Sequence, residues 1–161
     1  MTNAHLEAAS PEREVEQYLH RHIPLTVAMG VRVRIAMPDR VELTAPLAPN
    51  INHHDTVFGG SASALATLSA WTLVHMGLQH AKVNAAIVIQ RNVMNYEEPI
   101  HGDFSAVCTL IDDSAWQRFV KILERRGRGR IRMNARLMFE GRQVASFEGD
   151  FVALKRPDAR I

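Results

Sequence analysis

Between Asn52 and Thr67 the chain carries the residue types that could hold and polarise a carbonyl oxygen: Asn52, Thr56, Phe58-Gly59-Gly60-Ser61, Ser63 and Thr67. An asparagine side chain is a neutral N–H donor, and the first backbone N–H groups of a helix have no partner within it. Such donors suit an oxyanion, and Asn52 with the Gly60 N–H is the candidate pair. Ser61 or Ser63 as a nucleophile would need a neighbouring base, and Gly60-Ser61-Ala62-Ser63 is not a G-x-S-x-G elbow. His53-His54-Asp55 are adjacent loop residues, a poor arrangement for a single ion, so no metal is expected. Asn52 also has a plainer reading, as a turn residue satisfying its own backbone.

These residues must be positioned by the stretch that follows. From about 60 to 78 the sequence is rich in small and apolar residues and contains no Asp, Glu, Lys or Arg, which predicts a helix buried on nearly every face. Ser61, Ser63, Thr67, Ser69, Thr72 and His75 argue against a membrane span. Around it the chain alternates at period two. Val31, Val33, Ile35 and Met37 form one strand and Val41, Leu43 and Ala45 its return across Pro38-Asp39. Strands are predicted over 84–96, 104–111, about 130–139 and 144–154. Ser10-Pro11-Glu12 starts an amphipathic helix that Pro24 ends, and Asp112 caps a short helix striped with Trp116, Phe119, Val120 and Leu123. Short turns between consecutive strands call for an antiparallel sheet. The expected fold class is α+β, about six antiparallel strands wrapped around a central apolar helix, with residues 1–24 a tail and helix, 25–157 a single domain and 158–161 a tail.

A chain of 161 residues with 47% hydrophobic and 22% charged residues is ordinary for one globular domain. The formal charge of +2 gives no ground for a nucleic-acid partner. The lone Cys108 excludes an intramolecular disulfide and reads as a small buried hydrophobe. Met1 to Ser10 is polar, without an apolar stretch of leader type, so the expected location is cytoplasmic.

The run Asn52 to Gly60 resembles the hot-dog acyl-thioester enzymes, in which an Asn a few residues before a Gly-Gly pair opens the central helix. The further positions Thr56, Phe58-Gly59-Gly60-Ser61, Leu65-Ala66 and Trp71 resemble the bacterial YiiD carboxy-terminal family, from about Pro24 to Pro157. The resemblance implies a hot-dog fold, at least a homodimer, and an acyl substrate on acyl carrier protein or coenzyme A with no other cofactor. Many hot-dog hydrolases place an acid on the central helix, but Thr67 follows Leu65-Ala66 here, and no acid occurs between Asp55 and Glu97. Hydrolysis needs a base or a carboxylate nucleophile. Loss of carbon dioxide from a malonyl thioester needs only polarisation of the thioester oxygen, and the family includes malonyl-ACP decarboxylases, which supply acetyl-ACP for initiation of fatty-acid synthesis. That is the first expectation, with Asn52 and Gly60 catalytic and Thr56, Phe58, Gly59, Ser61, Ser63 and Thr67 against the substrate. A thioesterase with Asp55, Glu97 or Glu98 as base is the alternative, and a non-catalytic acyl-thioester binding protein the second. Arg125, Arg126, Arg128 and Arg130 read by default as a solvated turn, and otherwise as contacts for an acidic carrier or for phosphates.

Overall fold

A computed structural model describes residues 9–157. Helix α1 (Pro11–His22) begins as predicted, with proline in its first turn and the Ser10 hydroxyl accepting from the Arg13 N–H at 3.4 Å. Pro24 does more than end it: it opens a second short helix, α2 (Pro24–Ala28), at the first helical position, where its missing N–H costs nothing. The hairpin β1 (Arg32–Met37) and β2 (Arg40–Ala45) follows. The strict alternation expected for β1 is broken, because a bulge between Val33 and Ile35 shifts the phase. Ala36 is therefore buried and Met37 is 52% exposed, as an extra residue in one strand requires.

A 3-10 turn (Ala48–Asn50) precedes the central helix α3 (Gly59–His80). Then come β3 (Ala85–Tyr96), β4 (Phe104–Thr109), α4 (Asp113–Arg126), β5 (Arg128–Phe139) and β6 (Arg142–Lys155). At 14 residues α4 is longer than the short helix expected. The Asp112 carboxylate accepts from the Ser114 and Ala115 N–H groups at its start, and Gly127, at φ 71, closes its end in a conformation that favours glycine.

The six strands form one sheet in the order β1-β2-β4-β5-β6-β3, every pairing antiparallel. The sheet curls around α3, whose Leu65, Ala66, Ala70 and Val74 are fully buried against the inward-facing Leu43, Ala106, Leu137 and Phe151. This is the hot-dog fold. Cys108 lies inside, where burial pushes its thiol up to about 12. No helix among the described residues is long and apolar enough to cross a membrane.

The two edges of the sheet are treated differently. Along β1, the Glu16 carboxylate of α1 accepts from the Val33 N–H at 2.9 Å and from Arg32 at 2.8 Å, and Glu12 reaches the Ala36 N–H at 3.4 Å. The free donors of that edge are thereby covered. Along β3, no strand among the described residues pairs with the outer side, where the Trp71 indole N–H donates to the Ile87 carbonyl at 3.2 Å.

On the outward face of the sheet the Asp150 side chain is buried beneath Arg130 and Arg132. Hydrogen bonding to Arg132, then to Arg130, outweighs burial and holds this carboxyl at about 2, against the ordinary 3.8. Because the folded chain holds the group more acidic than the unfolded chain does, acid favours unfolding: the stabilisation is present above the unfolded value and lost as pH falls through the folded one. Urea midpoints followed from about pH 5 to about pH 2 will fall more steeply for the wild type than for Asp150→Asn; parallel curves would remove this pair from the acid response.

Candidate functional site

Three hydrogen bonds place the start of α3. The Phe58 N–H donates to the Asn50 carbonyl at 2.7 Å, and the Val57 N–H to the Ile100 carbonyl at 2.8 Å. The Tyr96 hydroxyl, at the end of β3, donates to the Gly59 carbonyl at 3.0 Å. Asn50 is itself held inside the fold, its amide nitrogen donating to the Met29 and Pro46 carbonyls at 2.9 and 2.8 Å. Its Oδ1 is buried with no partner. Neither Asn50 nor Tyr96 was legible as a site residue in the sequence, since both act through long-range backbone contacts that local pattern does not encode.

The first bond of α3 runs from Ala62 N–H to Phe58 carbonyl. Among the described residues no acceptor takes the N–H groups of Gly59, Gly60 or Ser61, and no side chain caps this end. Free donors and the helix dipole therefore converge at Gly60, which is exposed while the rest of α3 is largely enclosed. The Phe58 ring lies so close over Gly60 that a Cβ there would meet its Cε1 at 2.2 Å. Glycine thus admits the Phe58 ring against the helix start, and that ring must swing aside before another atom reaches the backbone from this side.

Asn52 sits half-buried beside this end with its side chain engaged in its own loop. Its Oδ1 accepts from the His54 N–H at 2.8 Å and the Thr56 N–H at 3.3 Å, while its amide nitrogen donates to Thr56 Oγ1 at 2.9 Å. The remaining amide proton meets the Val57 carbonyl at a long 3.4 Å, a weak bond. The turn reading of Asn52 therefore describes the chain as it stands, and one proton remains weakly held. Thr56 is the partner of Asn52.

Ser63, Thr67, Trp71 and His75 recur every fourth residue along α3 and are all half-buried, so they form one ridge that the sheet leaves partly uncovered. Thr67 and Ser63 make no side-chain hydrogen bond among the described residues. His75 is held below its usual value by burial, and secondarily by the His22 charge.

Glu97 and Glu98 lie apart from these donors in their contacts, whereas Asp55 shares the turn of Asn52, its N–H donating to the Asn52 carbonyl at 3.2 Å. Asp55 is exposed at φ 58 in the turn after Asn52. Glu97 accepts from the Gln143 side chain at 3.3 Å, and Glu98 is paired with Arg142 at 3.2 Å, so both point to the β5–β6 turn. Of the four arginines, Arg125, Arg126 and Arg128 are exposed without ion pairs among the described residues, whereas Arg130 is spent on Asp150. Burial of Asp150 demands that partner, a correction to reading all four alike. No group of three or more His, Cys, Asp or Glu that could hold a metal occurs among the described residues.

Fold and helix start together define a hot-dog protein of the acyl-thioester enzyme class. Over residues 12–155 the chain matches the family described as "Putative thioesterase (yiiD_Cterm)", and it belongs to that family. It is similar to a solved protein of unknown function from Chlorobaculum tepidum, 28% identical, with a TM-score of 0.85 over 90% of this chain and 94% of that one. A Shewanella oneidensis protein described as a "putative thioesterase" is 26% identical, with a TM-score of 0.79 over 89% and 96% of the two chains. A Haemophilus influenzae thioesterase at 13% identity and a TM-score of 0.73, covering 96% and 97%, shares the fold.

Alanine favours a helix over glycine by up to about 1 kcal/mol, so Gly60→Ala is expected to keep or raise Tm, the exposed Phe58 ring swinging aside. Acyl-thioester turnover should nevertheless fall by at least about tenfold, as expected when an oxyanion donor is obstructed. Full activity in a correctly folded Gly60→Ala protein would show that nothing approaches this backbone.

Proposed function

We propose that this protein decarboxylates a malonyl thioester, first of all malonyl-ACP, to the acetyl thioester. The observation that carries the reading is a set of free neutral donors at the start of α3 with no carboxylate on that helix. Breaking the bond to the β-carboxylate releases carbon dioxide and leaves the electron pair as an enolate, with its charge on the thioester oxygen. The Gly60 N–H and the weakly held Asn52 amide proton would receive that charge, Asn52 exchanging its 3.4 Å contact with Val57 for the substrate. An acid-free helix start also avoids repelling the substrate carboxylate. The enolate then takes a proton at carbon to give the acetyl group.

A thioesterase is the second reading, favoured by the family's description and by Asp55 in the same turn as Asn52. It requires Asp55, or Glu97 or Glu98 released from the contacts that hold them, to deliver water. Binding without turnover is the third.

The proposed unit is a homodimer formed through β3. A twelve-residue edge strand with exposed Val88, Ile89 and Tyr96, flanked by exposed Phe58 and Ile51, is a surface that associates unless blocked. Sedimentation of the wild type should give twice the chain mass, and Ile89→Lys should give the monomer; a monomeric wild type would refute the pairing.

Mass spectrometry after incubation with malonyl-ACP is expected to find acetyl-ACP and released carbon dioxide; malonate with free carrier thiol would instead establish the thioesterase. Asn52→Ala should lower kcat about 10²–10³-fold. Thr56→Val, which removes the turn partner of Asn52 but no proposed oxyanion donor, should retain most of it. Equal losses in the two variants would reduce Asn52 to a turn residue.

A further inference from the structure

The far end of α3 borders a cavity that the proposed thioester chemistry does not use. From Gly60 to Gly77 the helix advances about 26 Å. There a space of about 490 Å³ lies between the β1–β2 turn, the last turns of α3 and the start of α4, a size suited to a small-molecule ligand. None of its lining comes from β3, so pairing through that edge does not draw on it. Its floor is apolar, made by Leu73, Met76, Leu110, Met133 and the Trp116 indole. The indole lies against α3 at Gly77, where a Cβ would meet its Cζ2 at 2.5 Å and its Cη2 at 2.6 Å. Glycine weakens a helix interior relative to alanine, and here it admits the ring.

The rim is acidic. Asp39 and Asp113 line it and are exposed, no lysine or arginine does, and neither carboxylate has an ion-pair partner among the described residues. The fold brings them to one opening from distant parts of the chain. The Leu110 N–H donates to the Asp39 carbonyl at 2.8 Å, which holds the β1–β2 turn against the end of β4. The Asp112 carboxylate accepts from the Ser114 and Ala115 N–H groups at 2.9 and 3.0 Å, which fixes Asp113 in the first turn of α4. That capping carboxylate also answers the positive end of α4, whereas α3 ends here with its negative, carbonyl pole. His80 and Gln79 are the other polar side chains of the lining. The Trp116 indole N–H, unlike that of Trp71, finds no acceptor among the described residues.

An apolar floor alone would take any apolar molecule of the right size; the rim narrows the choice to one that carries positive charge at one end. A carboxylate or phosphate there would meet two like charges, whereas an ammonium group is drawn both to the carboxylates and to an indole face. We propose that this cavity binds a free small amine with an apolar body, its ammonium group between the Asp39 and Asp113 carboxylates and its body against Trp116 and Met133. The assignment is independent of the reaction proposed at the other end of α3.

Trp71→Phe leaves Trp116 as the one tryptophan, so its fluorescence reports occupancy of the cavity. Titration with phenethylamine and with hexylamine is expected to give a saturable change. Phenethyl alcohol, of the same shape without the charge, should bind about tenfold more weakly, and hydrocinnamate, of opposite charge, should not bind at the same concentrations. Adding Asp39→Asn and Asp113→Asn should lower the affinity for both amines to that for the alcohol and leave the alcohol unaffected. Both positions are exposed and Asp112 still caps α4, so the double variant is expected to fold, as circular dichroism will show. Calorimetric titration of the wild type should give the same order of affinities without relying on a tryptophan substitution. No saturation with either amine, equal affinity for amine and alcohol, or undiminished amine binding in the folded double variant would overturn the assignment.

Discussion

Everything in this structure depends on the enclosure of α3. A helix whose Leu65, Ala66, Ala70 and Val74 are fully buried can exist only where a sheet supplies partners for those side chains, and the curled six-stranded sheet does so. The helix interior satisfies its own backbone, but its first N–H groups cannot be satisfied from within. Enclosure therefore leaves the opening turn as the place where α3 meets solvent with donors to spare. Asn50, Ile100 and Tyr96 fix that turn from three different parts of the chain.

Charge is distributed around this constraint. The carboxylates of Glu42 and Asp150 lie on the outward face of the sheet, each between two arginines, and Glu98 is paired with Arg142. Acids are held where guanidinium partners balance their desolvation, and α3 carries none. The helix start thus presents oriented N–H dipoles with no acid on the helix itself, the nearest in sequence being the exposed Asp55 in the turn before it.

The uneven edges of the sheet extend the same logic outward. α1 covers β1 through Glu12 and Glu16, while β3 is left open and displays Val88 and Ile89. Tyr96 joins the end of β3 to the start of α3, so whatever packs on that edge is brought close to the donors. The half-buried ridge of Ser63, Thr67, Trp71 and His75 runs from the same helix start along α3.

Local pattern determined a good deal. The uncharged stretch after Gly59-Gly60 announced a buried helix, and the alternation in residues 130–139 announced an inward face of Ile131, Met133, Ala135 and Leu137, because period and polarity are local properties. The resemblance carried by Asn52, Phe58-Gly59-Gly60-Ser61 and Trp71 supplied the family. The β1 bulge was not legible, since its phase is set by pairing with β2. Nor was the division of the arginines, in which Arg130 is fixed to an acid twenty residues away while Arg128 remains exposed. The state of Asn52 was legible as a turn, because its bonds reach only two to five residues along the chain, whereas the anchoring by Asn50 and Tyr96 was decided by tertiary structure alone. Hydrogen bonds and cavities form between residues that the chain separates, and only closure of the sheet around α3 brings them within reach.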